Sequence, residues 1–295
     1  MKVLFCADGS DPSLQAIDKI PAFLMECAQI NVLYVVDTGF FPTLPSLISD
    51  NILQNYEDTA RDIVDETKKR IEAKGFKVES ALYLQGSPPD VILNEINEKN
   101  YDLVIFGASK KPGIRRWLGS VSRRVVYKSQ IPVLIIRPPQ IKPVINLRPK
   151  PYILFSTDGS ACSYNAIKKA CNIFNIKQFD VDILTVKLGA ESLPLEIVMD
   201  NEWLEKSLAA QDELAGEILD TAEKILNENS INVRARYALE GHPTDEILKF
   251  LDKNEPDVIV MGSHGREGFS DMLLGSISKS VLDSSDVHVL IIPLK

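Results

Sequence analysis

The sequence predicts an α/β protein with two tandem, doubly wound open sheets of mostly parallel strands, about five strands in each. Three observations favour this fold. The chain has 295 residues, which is at the upper limit of roughly 250–300 for a single hydrophobic core. The sequence repeats once along its length. Within each copy, short runs rich in Val and Ile alternate with helical patterns, which is typical of parallel βαβ units.

The repeat is visible at both ends of each copy. KVLFCADGSDPSLQAI matches YILFSTDGSACSYNAI, so that Asp8 corresponds to Asp158 at an offset of 150. Towards the end of each copy, Gly119 corresponds to Gly275 at an offset of 156. The offset therefore changes by only six residues, from 150 to 156, which indicates two copies of one domain rather than a solenoid.

The first half of the second copy contains two strands and two helices. YILFST is a short β-rich run, and the helix after it extends from about Ser160, a suitable N-cap, to Phe174. DVDILTV predicts the next strand. The segment 201–228 is rich in Glu, Ala, Leu and Lys, which are strong helix formers, and therefore predicts one long helix.

The second half of this copy contains three strands and two helices. INVRARYAL alternates like a half-exposed strand, and Pro243 suits the first turn of a helix that ends near Asp252. DVIVMG and VHVLII are strands rich in Val and Ile, and a last helix extends from Leu274 to Ser284 between them. We expect the first copy to have the same order of elements.

The domain boundaries follow from the proline pattern. We expect a first domain over 1–140, a linker over 141–150 and a second domain over 151–295. Five prolines occur in the segment 137–151, which excludes a helix and favours a semi-rigid tether. Both copies end in the apolar run VLII, and an apolar strand at a sheet edge favours strand pairing. We therefore expect an intramolecular pseudo-dimer, with further homodimerisation left open.

The charges are divided unequally between the two halves. The whole chain has 33 basic and 41 acidic residues, a net charge of −8, which argues against nucleic-acid binding by bulk attraction. Residues 1–145 carry 18 basic and 17 acidic residues (+1), and the remainder carries 15 and 24 (−9). Between Asp102 and Asp158 there are eleven basic and no acidic residues. This interval is either a solvated surface with a linker or a site for an anion or partner.

Cysteine usage and hydropathy favour a cytoplasmic protein without a membrane span. The four cysteines have no C-x-x-C spacing, which predicts reduced thiols. The three histidines form no ligand-spaced set with them, so we expect no metal site made of side chains. The N-terminus lacks the apolar core of a signal peptide, and no apolar stretch approaches the roughly 18 residues that a membrane span needs.

The candidate ligand-binding residues follow the strands of the second copy. In open α/β sheets, ligands bind outside the carboxyl ends of the strands. Asp158 follows the first strand, Gly262 and Gly265 follow the fourth, and Gly275 with Ser276 opens the last helix. Glycines let backbone amides approach an anion, and a helix N-terminus adds partial positive charge. The pattern predicts a nucleotide or phosphate site; tight turns, another anion, or an N-cap role for Asp158 are the alternatives.

These residues resemble the ATP-binding signature of the universal stress protein family. The signature is G-x-x-G, nine residues, then G-[ST], which this sequence matches at 262–265 and 275–276. The strand-one Asp158, the G-x-P at 241–243 and the run DVIVMGSHGR agree with it. The resemblance covers essentially residues 1–140 and 151–295, and it implies a tandem protein of this family, whose dimers pair through the final strand.

The resemblance implies roles for individual residues of the second copy. Asp158 would hold the ribose or the adenine edge, and Val186 would contact adenine through its backbone. The phosphates would be surrounded by Gly262, Gly265, Gly275, Ser276 and Ser278. Mg²⁺ would be shared between phosphate oxygens, and the resemblance implies no catalytic residue.

The first copy departs from the signature. Its loop, GASKKPGIRRWLGS, has Lys110 at the position of the second glycine and is one residue shorter. A second, divergent anion or regulatory site is one interpretation, and a degenerate pseudo-site that mediates docking is the favoured one. The residues of that second site would be Asp8, Val35, Gly107, Lys110, Gly119 and Ser120.

Three functions are compatible with the sequence. The favoured one is an ATP-binding stress-response or regulatory protein whose nucleotide occupancy is sensed by an unknown protein partner. The second is a slow ATPase or a phosphoryl- or nucleotidyl-transfer enzyme, which the sequence favours less because no nucleophile is paired with a general base. The third is a nucleotide-independent scaffold.

Overall fold

The computed structural model describes residues 1–39, 50–108, 118–138, 150–190, 195–199, 201–265 and 274–294, with the backbone alone of 50–53. The described residues form two compact units, unit 1 over 1–138 and unit 2 over 150–294. Most of the predicted linker at 141–150 lies outside the described residues. The predicted boundaries and the docking of the two copies therefore stay predictions.

Unit 1 alternates strands and helices along the chain. Its elements are β1 (Lys2–Ala7), α1 (Asp11–Ile17), α2 (Ile20–Phe23), β2 (Gln29–Asp37), α3 (Asp50–Ala73), β3 (Lys77–Gly86), α4 (Pro88–Lys99), β4 (Leu103–Gly107), α5 (Ser120–Lys128) and β5 (Val133–Ile136). The strands pair in the order β3-β2-β1-β4-β5, and the pairs between neighbours are parallel.

Unit 2 repeats this arrangement. Its elements are β6 (Tyr152–Ser156), α6 (Ala161–Ile173), β7 (Asp180–Lys187), α7 (Leu195–Val198), α8 (Asn201–Glu228), β8 (Val233–Glu240), α9 (Pro243–Asn254), β9 (Val258–Gly262), α10 (Ser276–Ser284) and β10 (His288–Ile292). Its strands pair in parallel in the order β8-β7-β6-β9-β10. The predicted fold class, two α/β units with mostly parallel sheets, is confirmed.

Burial explains why these sequences form central strands. Val3, Leu4 and Phe5 of β1 are all buried, as are Ile153, Leu154 and Phe155 of β6. Successive strand residues point to opposite faces, so continuous burial means that both faces of each sheet are covered. In unit 1, β2 and β3 lie on one side of the central strand β1, and β4 and β5 lie on its other side. This reversal between β1 and β4, or β6 and β9, creates the crevice where ligands bind in such sheets.

The element boundaries agree closely with the sequence pattern. Ser160 is the N-cap of α6 and its side chain accepts a hydrogen bond from the Ser163 amide at 3.1 Å. Helix α8 covers 201–228, as its composition predicts. The last helix begins at Ser276, two residues later than expected, because Gly275 is its N-cap. The short helix α7 has no counterpart in the sequence-based prediction.

An ion pair between β7 and β8 has a buried carboxylate and a partly exposed guanidinium. Asp182 is fully buried, and Arg234 of β8 donates to both of its carboxylate oxygens, at 2.9 and 2.7 Å. The guanidinium also lies over the ring of Tyr152, 4.5 Å from its centroid. The hydrogen bonds that Arg234 donates to Asp182 stabilise the charged guanidinium, and they therefore raise the pKa of Arg234. In unit 1 the corresponding position of β2 holds Asn31, which accepts from the Ser80 hydroxyl at 2.6 Å.

Candidate functional site

The carboxyl ends of β7, β6 and β9 bring the predicted site residues of unit 2 to one edge of the sheet. Asp158 follows β6, Val186 is the penultimate residue of β7, and Gly262 ends β9. Gly265 lies three residues beyond β9, and Gly275 precedes α10. Residues 266–273, between these two glycines, lie outside the described part of the chain.

Asp158 directs one carboxylate oxygen to its own turn and the other across the crevice. Oδ1 accepts a hydrogen bond from the Ser160 amide at 3.0 Å. The tight exit from the strand uses Gly159, whose φ of +80° is costly for other residues. On the other side, a β-carbon placed on Gly265 would lie 2.8 Å from Oδ2 of Asp158. Since Ser160 caps α6, Asp158 does not serve as the N-cap.

Gly275 brings the N-terminus of α10 against the loop after β9. Its amide donates to the Ser263 carbonyl at 2.7 Å. A β-carbon on Gly275 would lie 3.3 Å from that same oxygen and 3.5 Å from the His264 Cα, so the contact is tight. The next amides, those of Ser276, Ile277 and Ser278, belong to the first helical turn and have no acceptor within the helix. They form a positive helix end at the same edge as Asp158.

Gly262 and Ser278 connect the end of β9 to the two helices beside it, α6 and α10. A β-carbon on Gly262 would lie 2.9 Å from Cys162 Sγ and 3.1 Å from the Ser163 amide nitrogen, both at the start of α6. The buried Ser278 hydroxyl donates to the Gly262 carbonyl at 2.8 Å. The requirement for glycine at 262 thus comes from close packing of strand on helix. The phosphate contacts predicted for these two residues stay predictions.

The sequence pattern did not single out Ser263, which lies between the two predicted glycines. Its hydroxyl is 2.8 Å from His264 Nδ1 and 3.7 Å from the sulfur of Cys162. Ser263 is buried, and through this contact its hydroxyl positions the imidazole of His264. The sequence gives no signal for this role of Ser263, because its partners are Cys162 of α6, which is distant in the sequence, and the side chain of His264.

Lys187 is a second residue that the sequence did not reveal. It ends β7, directly after Val186, and its ammonium group binds Asp212 of α8 at 2.5 Å and Glu240 of β8 at 3.2 Å. The hydrogen bond that Lys187 donates to Asp212 is the main reason why the pKa of Lys187 is raised. The ion pairs fix α8 to the sheet at the edge that carries the candidate site.

Unit 1 reproduces only part of this arrangement. Asp8 Oδ1 accepts from the Ser10 amide at 2.9 Å and from the Ser10 hydroxyl at 2.6 Å. Gly107 packs like Gly262, since a β-carbon there would lie 2.6 Å from the Ser13 Cα. Gly119 is the N-cap of α5, which begins at Ser120. The predicted Lys110 lies outside the described residues.

An aromatic side chain distinguishes the edge of unit 1. Tyr34, which precedes the predicted Val35, occupies the position held by Thr185 before Val186 in unit 2. The ring is partly buried, and burial, followed by the charge of Asp8, raises the pKa of its hydroxyl. The edge beside Asp8 therefore carries an aromatic residue where the edge beside Asp158 carries a threonine.

The described residues show neither a membrane-spanning helix nor a cluster of metal-binding side chains. None of the described helices is long and apolar enough to cross a membrane. Within the same residues, no group of three or more His, Cys, Asp or Glu side chains is arranged to hold a metal ion.

Comparisons with known proteins agree on one family. A sequence model described as the universal stress protein family matches residues 1–137 and 152–293. A universal stress protein of Methanocaldococcus jannaschii is 31% identical over 140 residues, which cover 48% of this chain and 80% of that protein. One from Synechocystis is 24% identical over 311 residues, covering 98% of each chain. The crystal structure of a universal stress protein from Archaeoglobus fulgidus is 24% identical, with a TM-score of 0.65, and covers 99% of this chain and 96% of that one.

Proposed function

Because this chain belongs to the universal stress protein family, we propose that unit 2 binds ATP and that a protein partner senses the bound nucleotide. The observation that carries the proposal is the approach of Asp158 to Gly265. A carboxylate at the end of one strand can accept hydrogen bonds from ribose hydroxyls. The loop opposite it carries no side chain at Gly265, and this lets the carboxylate lie directly against the loop backbone.

The phosphates would lie at the start of α10. The first-turn amides from Ser276 to Ser278 can donate to phosphate oxygens, and the helix dipole favours negative charge there. Unit 2 belongs to the acidic half of the chain, which carries 24 acidic and 15 basic residues after residue 145. Local amides rather than net charge would therefore hold the anion. Mg²⁺ would bind the phosphate oxygens and neutralise their charge, and Val186 would contact the base through its backbone.

Unit 1 is the weaker candidate for the same ligand. Tyr34 occupies space beside Asp8 where unit 2 has Thr185, and the loop signature is altered at Lys110. A cytoplasmic location is part of the same proposal. The four cysteines, which all lie in the described segments, are free thiols, as is usual for that compartment.

Differential scanning calorimetry of the full chain with and without Mg-ATP tests the proposal. At about 100 times Kd, the ligand should stabilise the folded state by roughly 2.7 kcal/mol. Asp158→Ala should abolish this shift, and Asp8→Ala, the matched change in unit 1, should retain it. An unchanged transition of the wild-type protein at saturating Mg-ATP would disprove ATP binding. Loss of the shift in Asp8→Ala alone would place the nucleotide in unit 1.

A further inference from the structure

The N-terminal part of α8 extends beyond the sheet of unit 2. Asp212 is paired with Lys187, the last residue of β7, and the first buried residue of the helix is Ala215. Helix α8 begins at the carboxyl end of the parallel sheet, because it connects β7 to β8. Residues 201–211, about 16 Å of helix at 1.5 Å per residue, therefore project past the edge that carries Asp158.

Three large apolar side chains lie in this region and its preceding turn. Leu195, Met199 and Trp203 are 69%, 79% and 63% exposed, more than any other large hydrophobic residue in the described segments. The Met199 amide donates to the Leu195 carbonyl at 2.9 Å, so these two side chains project from the same side of one helical turn. Trp203 lies in the first turn of α8, beyond residue 200, which is outside the described residues. We call these three residues the 195–203 stripe.

Acidic residues are frequent in the sequence around the stripe. The sequence from 195 to 213 contains six Asp and Glu residues and one Lys. Lys206 is paired with Glu202 and Lys187 with Asp212, which leaves four of the six acidic residues in excess of these two lysines. Exposed apolar residues in an acidic stretch of the chain are complementary to a segment that presents apolar side chains flanked by Lys and Arg. Amphipathic helices are recognised in this manner, through anchors spaced three or four residues apart.

We propose that the 195–203 stripe is a docking surface for a basic amphipathic segment of a partner protein. The stripe lies at the same edge of the sheet as the candidate nucleotide site, and Lys187 joins that edge to α8. The role of the surface as the sensor of bound nucleotide rests on the proposed function. The docking itself needs only the apolar side chains and the acidic stretch.

Fluorescence anisotropy of a labelled model peptide tests this docking. The probe is a peptide of about four helical turns, made of Leu at helical spacing and Lys elsewhere, and its counterpart carries Glu in place of Lys. We expect the full chain to bind the Lys peptide and not the Glu peptide. Replacing Leu195, Met199 and Trp203 together by Ser should weaken binding roughly tenfold or more, because buried anchors dominate such interfaces.

A matched variant removes three exposed leucines elsewhere, as Leu82→Thr, Leu84→Thr and Leu294→Ser, and should bind the Lys peptide like the wild type. Equal weakening in both triple variants, or equal binding of the Glu peptide, would overturn the proposal. Sedimentation velocity provides the other decisive result. A dimer that disappears only in the stripe variant would show that a second copy of this chain occupies the surface.

Calorimetry with Mg-ATP separates this proposal from the proposed function. A stripe variant that loses peptide binding but keeps the ATP-dependent shift supports docking at a surface distinct from the nucleotide. If the wild type binds the peptide through the stripe but shows no ATP-dependent shift, the nucleotide proposal fails and the docking surface stands.

Discussion

The Oδ2 atom of Asp158 lies 2.8 Å from the position that a β-carbon of Gly265 would occupy. Real β-carbons essentially never approach another atom so closely, so any other residue at 265 would force the Asp158 carboxylate to shift. The two residues are 107 positions apart in the sequence and meet because β6 and β9 are neighbouring parallel strands. The candidate nucleotide site is therefore made by the strand order of unit 2.

Gly265→Ala should reduce the affinity for Mg-ATP, because the new methyl group forces the Asp158 carboxylate to move. We expect a loss of roughly tenfold or more, about the effect of misplacing one charged hydrogen-bonding group. Isothermal titration calorimetry measures it. Gly216→Ala is the matched control, since a β-carbon there meets no atom within 4 Å, and it should keep the wild-type affinity. Equal affinities of both variants would place the ribose elsewhere.

Ser278→Ala should destabilise unit 2 by about 1 kcal/mol, because the buried Gly262 carbonyl loses its hydrogen-bond donor. Urea denaturation followed by circular dichroism gives this free energy of unfolding. Ser276→Ala, at the exposed start of the same helix, should change it by no more than about 0.5 kcal/mol. A smaller loss in Ser278→Ala than in Ser276→Ala would contradict the support role.

Arg234→Met should destabilise unit 2 by about 3 kcal/mol, the lower end for a broken buried pair, because Arg234 is partly exposed while Asp182 is fully buried. Adding Asp182→Asn should recover part of the loss, since the uncompensated charge is then removed. Unit 1 already has asparagine at this position, Asn31. Urea denaturation of both variants at neutral pH measures the difference. No recovery in the double variant would mean that the charge is not the cause.

Tyr101→Phe should flatten the alkaline limb of the stability profile. Burial and the charge of Glu95 raise the pKa of Tyr101, which donates to Glu95 at 3.1 Å. A raised pKa in the folded state stabilises the protein below the unfolded value of about 10, and this stability is lost as the pH rises above it. Thermal unfolding measured from pH 8 to pH 11 should therefore show a steeper decline for the wild type. Parallel declines would exclude this contribution.

Much of the fold could be predicted from the sequence because its signals are local. The N-cap at Ser160 depends on the residue type and its position before a helical run. The bounds of α8 follow from an uninterrupted run of helix formers. The short helix α7 gave no such signal, because one helical turn is too brief for an apolar period to appear in the sequence.

The candidate site was only partly predictable, because only some of its features are local in the sequence. The spacing of Gly265 and Gly275 is a sequence property, and the structure places both glycines in tight contacts at this edge, whereas their contacts with a phosphate stay predictions. The packing of Gly262 against Cys162 and the ion pairs of Lys187 involve residues about 25 to 100 positions apart. No local pattern encodes such contacts, since they arise only when helices and strands pack.

The sequence by itself determined that this protein consists of two copies of one α/β domain, since a repeat and a hydrophobic period are properties of residue order. It also determined that the copies differ at the second loop glycine, Gly265 in one and Lys110 in the other. Only the tertiary structure decided that Asp158 faces Gly265, that Tyr34 is partly buried near Asp8, and that Trp203 is exposed on a projecting helix. The physical reason is that distances between side chains depend on strand order and helix packing, which bring together residues that are distant in the sequence.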